Sequence, residues 1–192
     1  MFPETIETDR LELERYCREN VSVHEAYEVC SAPEMDEVTR YVTWDPYETP
    51  KDAADFLDAA EAAWEDGRGA TYAVRVKADG GAWAGNTGLS CDWERDAGAL
   101  GLWLRKRYWG RGYSGERAAA LLELAFETLD LSLVEVTHHA DNENSERAVE
   151  KYVDRFGGRR EGTLRGLHPG DEGAIDAVRY TVTAGEYRAA TR

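Results

Sequence analysis

The sequence is poor in cysteine, lysine and net positive charge, and it holds no long apolar run. Its three cysteines, Cys17, Cys30 and Cys91, are odd in number, far apart and never spaced C-x-x-C. That spacing suggests neither a disulfide framework nor a zinc site, so they read as buried or half-buried thiols in a reducing compartment. No stretch approaches the roughly 18 apolar residues that cross a bilayer as a helix, so no membrane partner is expected. Met1-Phe2-Pro3-Glu4 lacks the basic-then-apolar layout of a secretory signal, and a cytoplasmic location is the expectation. The chain has 23 Lys and Arg against 38 Asp and Glu, a formal net charge of −15. A nucleic-acid binder needs a basic face to neutralise phosphates, so that class of partner is not expected. With no repeat and no low-complexity linker, the 192 residues read as one domain over 1–192. A chain of that size buries about 70% of its unfolded surface.

Only four of the cations are lysine (Lys51, Lys77, Lys106, Lys151); the others are arginine. Acid-rich, lysine-poor composition reads as halophilic adaptation to a salt-rich cytoplasm, where screening removes much of the self-repulsion. Relieving about 3 kcal/mol of repulsion raises the melting midpoint of such a chain by roughly 10 °C. A thermal melt series from dilute buffer to molar KCl is expected to show a rise of that order. Full stability in dilute buffer would refute the adaptation.

Apolar periodicity gives a mixed α and β pattern. Residues 5–15 alternate and predict a first strand. Ser22-Val-His-Glu25 is a capping box opening a helix toward Ser31, and a short helix is expected over 33–39. Thr49-Pro50-Lys51-Asp52 opens an alanine-rich helix to about Glu65. Strands near 70–77, 82–91 and 97–105 are joined by short turns, which predicts antiparallel hairpins. A helix over 112–129, a strand over 131–138 and a helix over 143–155 follow, then strands near 159–166 and 175–184. Strands 97–105 and 131–138, joined through a helix, should be parallel neighbours. The sum is an α/β (α+β) fold on one mixed, mostly antiparallel sheet. Its last hairpin exposes an edge through which a homodimer could form.

The most informative segment is Arg105-Lys-Arg-Tyr-Trp-Gly-Arg-Gly-Tyr-Ser-Gly115, between a strand and a helix. Helix N-termini offer free N–H groups and a favourable dipole to an anion, and Gly110 and Gly112 let a phosphate come close to the backbone. Gly110-x-Gly112-x-x-Gly115 matches the dinucleotide fingerprint, but an antiparallel meander precedes it and Arg105-Lys-Arg-Tyr-Trp109 intervenes. A P-loop is excluded because no Gly-Lys-Ser/Thr follows.

Read as Arg107-x-x-Gly110-x-Gly112, the segment resembles the acyl-CoA loop of the GNAT N-acetyltransferase superfamily. Tyr108 to Glu116, Asn142-x-x-Ser145-x-Arg147-x-x-Glu150-Lys151, Glu161-Gly162 and Asp176 to Tyr180 resemble its ribosomal-protein alanine/serine N-terminal acetyltransferase (Rim-type) subgroup. The resemblance runs from residue 5 to 187. It implies a GNAT-like sheet with helices on both faces, acetyl-CoA as co-substrate, no metal, and a primary amine as acceptor, either a protein N-terminus or a small molecule. It implies that the backbone of Gly101, Leu102, Trp103 and Leu104 pairs with the pantetheine arm. The amides from Arg107 through Tyr108, Trp109, Gly110, Arg111, Gly112 and Tyr113 to Ser114 would hold the diphosphate, with Arg105 among the further cofactor-binding residues.

The reaction demands an oriented thioester, a polarised carbonyl and management of two protons. The family commonly places a tyrosine seven residues after the Asn142 equivalent to protonate the departing sulfur; Val149 stands here. The subgroup uses a serine three residues after the asparagine, and Ser145 fits, with Asn142 beside it and also suited to cap the helix. Tyr152 lies seven residues from Ser145, about 10.5 Å along a helix, so only one of them reaches the sulfur. Where the subgroup often carries a glutamate on the strand, Ala99 stands; Asp92 and Glu94 are the nearest substitutes. Adjacent strand residues point to opposite faces, so His138-His139 makes no chelating pair. Tyr41, Trp44 and Tyr47 fall where the subgroup lines its acceptor pocket.

Overall fold

The computed structural model describes residues 1–168 and 173–192. The chain opens with β1 (Thr5–Glu7) and β2 (Leu11–Arg15), then three helices, α1 (Val23–Cys30), α2 (Met35–Val38) and α3 (Pro50–Glu65). A meander of β3 (Gly69–Val76), β4 (Ala82–Asp92) and β5 (Ala97–Leu104) leads to α4 (Tyr113–Glu123) and β6 (Leu133–His139). α5 (Glu143–Arg155), β7 (Arg159–His168), β8 (Ile175–Thr183) and α6 (Ala184–Ala190) complete it. All eight strands join one sheet in the order β1-β2-β3-β4-β5-β6-β8-β7. Every pairing is antiparallel except β5 with β6, as the chain order predicts. β7, the first strand of the last hairpin, is an edge.

The apolar pattern divides along the two sheet faces. Leu121 and Leu122 of α4, Val149 and Val153 of α5 and Tyr187 of α6 pack with Tyr72, Val74 and Val136. On the other face Ala26, Ala53, Leu57 and Ala60 of α1 and α3 pack with Tyr16, Ala73 and Trp83. Both faces therefore carry helices, and the central strands are covered twice. Among the described residues no helix is long and apolar enough to cross a membrane.

Three local features depart from expectation. The predicted strand over 5–15 is a hairpin, because Thr8 ties its turn: its N–H donates to the Leu11 carbonyl at 2.9 Å and its Oγ1 accepts from the Leu11 N–H at 3.0 Å. The helix predicted over 112–129 is α-helical to Glu123 and continues as a π-helical turn over Leu124–Thr128. The chain ends in α6 rather than in strand. Thr183 and Glu186 form its capping box, the Thr183 N–H donating to Glu186 Oε2 at 2.8 Å and the Glu186 N–H to Thr183 Oγ1 at 3.2 Å.

Candidate active site

β5 and β6 are hydrogen-bonded only where Ala97–Leu100 face Leu133–Val136. Beyond that, residues 101–104 pair with β4 alone and residues 137–139 with β8 alone. The strands part, and a cleft of about 1550 Å³ opens between them. Gly101 lines it with nothing within 4 Å of where a Cβ would stand. Not every backbone group along this wall is unengaged. The Gly101 carbonyl accepts from Thr87 Oγ1 at 2.9 Å, and the Leu104 carbonyl accepts from Trp109 Nε1 at 2.6 Å.

At the mouth of the cleft, Gly110 and Gly112 hold φ of +70° and +80°, a region that L side chains rarely enter. Gly112 is the N-cap of α4 and brings no capping side chain. Among the described residues, no protein acceptor is within hydrogen-bond reach of the amides of residues 110–114. Gly110, Arg111 and Gly112 are exposed. Several outward-directed N–H groups at an uncapped helix start are what an anion requires.

The loop is stitched from behind. Tyr108 is buried and donates its hydroxyl to Asp79 Oδ2 at 2.6 Å; burial, then that carboxylate, push its phenol up. Arg10, in the β1–β2 turn, lies over the Tyr113 ring at 4.9 Å and donates Nη1 to the Arg111 carbonyl at 2.9 Å. Glu116 fixes Arg10 in turn, accepting its Nε at 2.6 Å, its backbone N–H at 2.7 Å and the Thr8 hydroxyl at 2.6 Å. Burial raises the Glu116 carboxyl, but these donors outweigh it and hold the group below its ordinary value.

Three of the four cations in residues 105–111 are neutralised within the protein. Arg105 pairs with Glu34 at 2.8 Å, Lys106 with Glu37 at 2.6 Å and Arg107 with Asp79 at 3.8 Å. Arg111 has no carboxylate partner among the described residues and approaches the Tyr108 ring at 5.8 Å.

Leu102, Trp103, Leu104, Tyr108, Trp109, Gly110, Gly112, Tyr113, Ser114, Asn142, Ser145 and Tyr41 all line the one cleft. The side chains of Arg105, Arg107 and Arg111 do not. Asn142 caps α5, its Oδ1 accepting from the Ser145 N–H at 3.1 Å, so its oxygen is committed and its amide NH2 remains. Trp44 and Tyr47 sit behind the wall: Trp44 packs edge-on to Trp103 at 5.5 Å and beside Tyr47 at 5.8 Å. Asp92 closes the β4–β5 turn, accepting from the Arg95 N–H at 3.1 Å, and is not part of the cleft lining. His138 stacks on Tyr180 and His139 packs on Tyr41, at ring separations of 5.7 and 5.1 Å.

Sequence reasoning missed Arg10, whose turn carries no pattern, and Arg117. The second had a signal, a cation four residues before Leu121 on the buried stripe of α4. Arg117 is 2% exposed and lines the cleft, its Nε and Nη1 without hydrogen-bond partners among the described residues.

A mixed sheet whose parallel pair, β5 with β6, splays beside an uncapped glycine turn has the architecture of the GNAT fold. The family model described as acetyltransferase (GNAT) domain matches residues 10–152, and the chain belongs to that family. It is 24% identical over 185 residues to p20 of Bacillus licheniformis, an uncharacterized N-acetyltransferase, covering 96% of this chain and 98% of that one. A GCN5-related N-acetyltransferase from Brucella melitensis superposes with a TM-score of 0.81 at 21% identity, covering 99% and 83% of the two chains. RimL, a ribosomal L7/L12 α-N-protein acetyltransferase solved with coenzyme A, superposes at 0.81 with 15% identity, covering 94% and 98%.

Proposed function

We propose that the chain transfers the acetyl group of acetyl-CoA directly to a primary amine, a protein α-amine or a small amine, in the manner of the ribosomal-protein N-terminal acetyltransferases. The observation that carries this is the parting of β5 from β6 beside a helix start with unengaged amides. The RimL complex with coenzyme A supports the same choice of ligand for this fold.

The amides of residues 110–114 take the diphosphate, with the positive end of the α4 dipole behind them. The pantetheine arm then runs into the gap along residues 101–104. A neutral amine entering from the far side attacks the thioester carbon and forms the C–N bond. The tetrahedral intermediate collapses with loss of the C–S bond, and the coenzyme A thiolate takes a proton. Ser145 relays that proton from its hydroxyl and takes a proton back from water in the same step, so that it ends as a neutral alcohol. Tyr152 does not, because its hydroxyl is buried beside Arg117 and it lies about 10.5 Å along α5 from Ser145. With Ala99 on β5, the ammonium proton leaves through water rather than to a strand carboxylate.

The test is a panel of amines and peptides scored by free-thiol release and acetylated product in molar salt. Ser145→Ala is expected to lower turnover about 100-fold, the usual weight of a general acid, with acetyl-CoA affinity held within about twofold. Unchanged turnover at saturating acetyl-CoA removes Ser145 from the mechanism. Val149 and Ala99, which replace the family's acid and base, favour one other reading, a non-catalytic acyl-CoA-binding regulatory module. Calorimetric binding of acetyl-CoA without thiol release for any acceptor would establish that reading instead.

A further inference from the structure

One short segment bridges the parted strands on the side of the cleft from which the amine enters. α2 and the 3₁₀ turn after it (Thr39–Tyr41) cross from the end of β5 to the end of β6. Glu34 and Glu37 tie this bridge to Arg105 and Lys106, the first residues past β5, at 2.8 and 2.6 Å. Tyr41 ties it to His139, the last residue of β6, with ring centres 5.1 Å apart. Trp103 packs with the core of α1 and α3, whereas Leu104 and Val136 pack with that of α4 and α5. Side chains alternate along a strand, so His139 shares the α1 and α3 face with Trp103 and the bridge lies on that face. Arg40, Tyr41 and Val42 of the bridge line the cleft together with Gly101, Trp103 and Thr137.

Arg40 is the charge this bridge holds over the gap. It is exposed, its guanidinium lies 5.3 Å from the Tyr41 ring centre, and among the described residues no carboxylate stands within 4.0 Å of it. The two acids nearest in the chain do not neutralise it. Glu37 is taken by Lys106, and Asp36 makes no ion pair with Arg40 and is not part of the cleft lining. The other carboxylates of the lining stand elsewhere: Glu7 and Asp9 belong to the β1–β2 hairpin, Glu116 holds Arg10 at the glycine turn, and Glu123 ends α4. In a chain with 38 acidic residues, this mouth therefore presents a positive charge and no unpaired carboxylate. A polycationic acceptor finds nothing to pair with there, whereas an anionic group meets Arg40 unopposed. Tyr41 and Trp103 give the mouth an aromatic wall, which lowers the local dielectric and strengthens such a contact. A guanidinium suits a carboxylate in particular, because its planar fork matches the two oxygens.

We propose that Arg40 selects acceptors that carry a carboxylate beside the reacting amine, as a free amino acid does, or a peptide with an acidic second residue. This rests on the acetyl-transfer reading above and names the acceptor class for that site. Matched pairs test it: phenylalanine against phenylalaninamide, and hexapeptides that differ only in aspartate or asparagine at their second position. For each, kcat/KM for acetylation is measured with wild type and with Arg40→Gln at one salt concentration, and melting curves confirm that the variant is folded. The acid-over-amide ratio is expected to fall about 10-fold in the variant for at least one pair, the weight of one charge-assisted contact. Comparing ratios between the two proteins cancels the different basicity of the paired amines and any general loss of activity. The pair that responds identifies the source of the carboxylate, amino acid or acidic peptide. A ratio unchanged by the substitution in both pairs overturns the Arg40 site and leaves the transfer reading standing. Transfer confined to neutral or cationic amines has the same meaning. Absence of transfer to any amine overturns both.

Discussion

Gly85→Ala is expected to destabilise the protein by about 4 kcal/mol or more, at the extreme of single substitutions. Gly85 has φ of +146° and sits in β4 beside the bulge that skips Ala84 in the pairing with β3. A Cβ there would stand 2.1 Å from the Trp103 carbonyl oxygen and 2.8 Å from the Leu104 Cα, both backbone atoms of β5. No rotamer relieves such a clash, so β4 and β5 must separate or the bulge must unwind. The bulge is pinned, because Trp83 Nε1 donates to the Gly85 carbonyl at 2.8 Å and to Asn86 Oδ1 at 2.9 Å. Trp103 and Leu104 form the wall of the cleft, so any separation of the strands also disturbs the path proposed for pantetheine. Urea unfolding at high salt reads the first effect and acetyl-CoA calorimetry the second. A loss of less than about 1 kcal/mol would show that the strands are free to shift, and that this wall is not rigid.

What could be read from the chain follows from the range of each interaction. The parallel pairing of β5 with β6 was legible because a strand, a helix and a strand in that order leave one handed connection. The glycine turn was legible because positive φ and an uncapped helix start are local requirements, met by Gly110 and Gly112 themselves. The charge of the turn was not. Glu34, Glu37 and Asp79 reach Arg105, Lys106 and Arg107 from segments 28 to 71 residues away in the chain, and no local pattern announces that neutralisation. Trp44 and Tyr47 illustrate the same limit, since only tertiary packing decides that they support Trp103 from behind. α6 is a different case. Its capping box, Thr183 with Glu186, is plain in the sequence, but the apolar run of β8 extends into it and reads as continued strand.

Glu116→Gln is expected to raise KM for acetyl-CoA about tenfold while kcat at saturation holds, and to lower stability by roughly 1–3 kcal/mol at neutral pH. Glu116 lines the cleft, but its carboxylate oxygens are occupied by Thr8 and Arg10. It acts by holding Arg10, and Arg10 holds the Arg111 carbonyl and the Tyr113 ring on either side of Gly112. A neutral amide offers one acceptor where the carboxylate offers two, and turns its NH2 toward a guanidinium. The turn then loses its fixed shape, and binding must supply the ordering. The pH dependence has a definite sign. Because the folded pKa is depressed below 4.5, the ordinary value, the group favours folding fully above that value and loses this contribution as pH falls through its folded pKa. The stability gap between wild type and variant should therefore be widest near neutrality and close as the solution is acidified below pH 4.5. A gap that stays constant into acid would mean that the lost packing of the side chain, rather than the charge on Arg10, organises the turn.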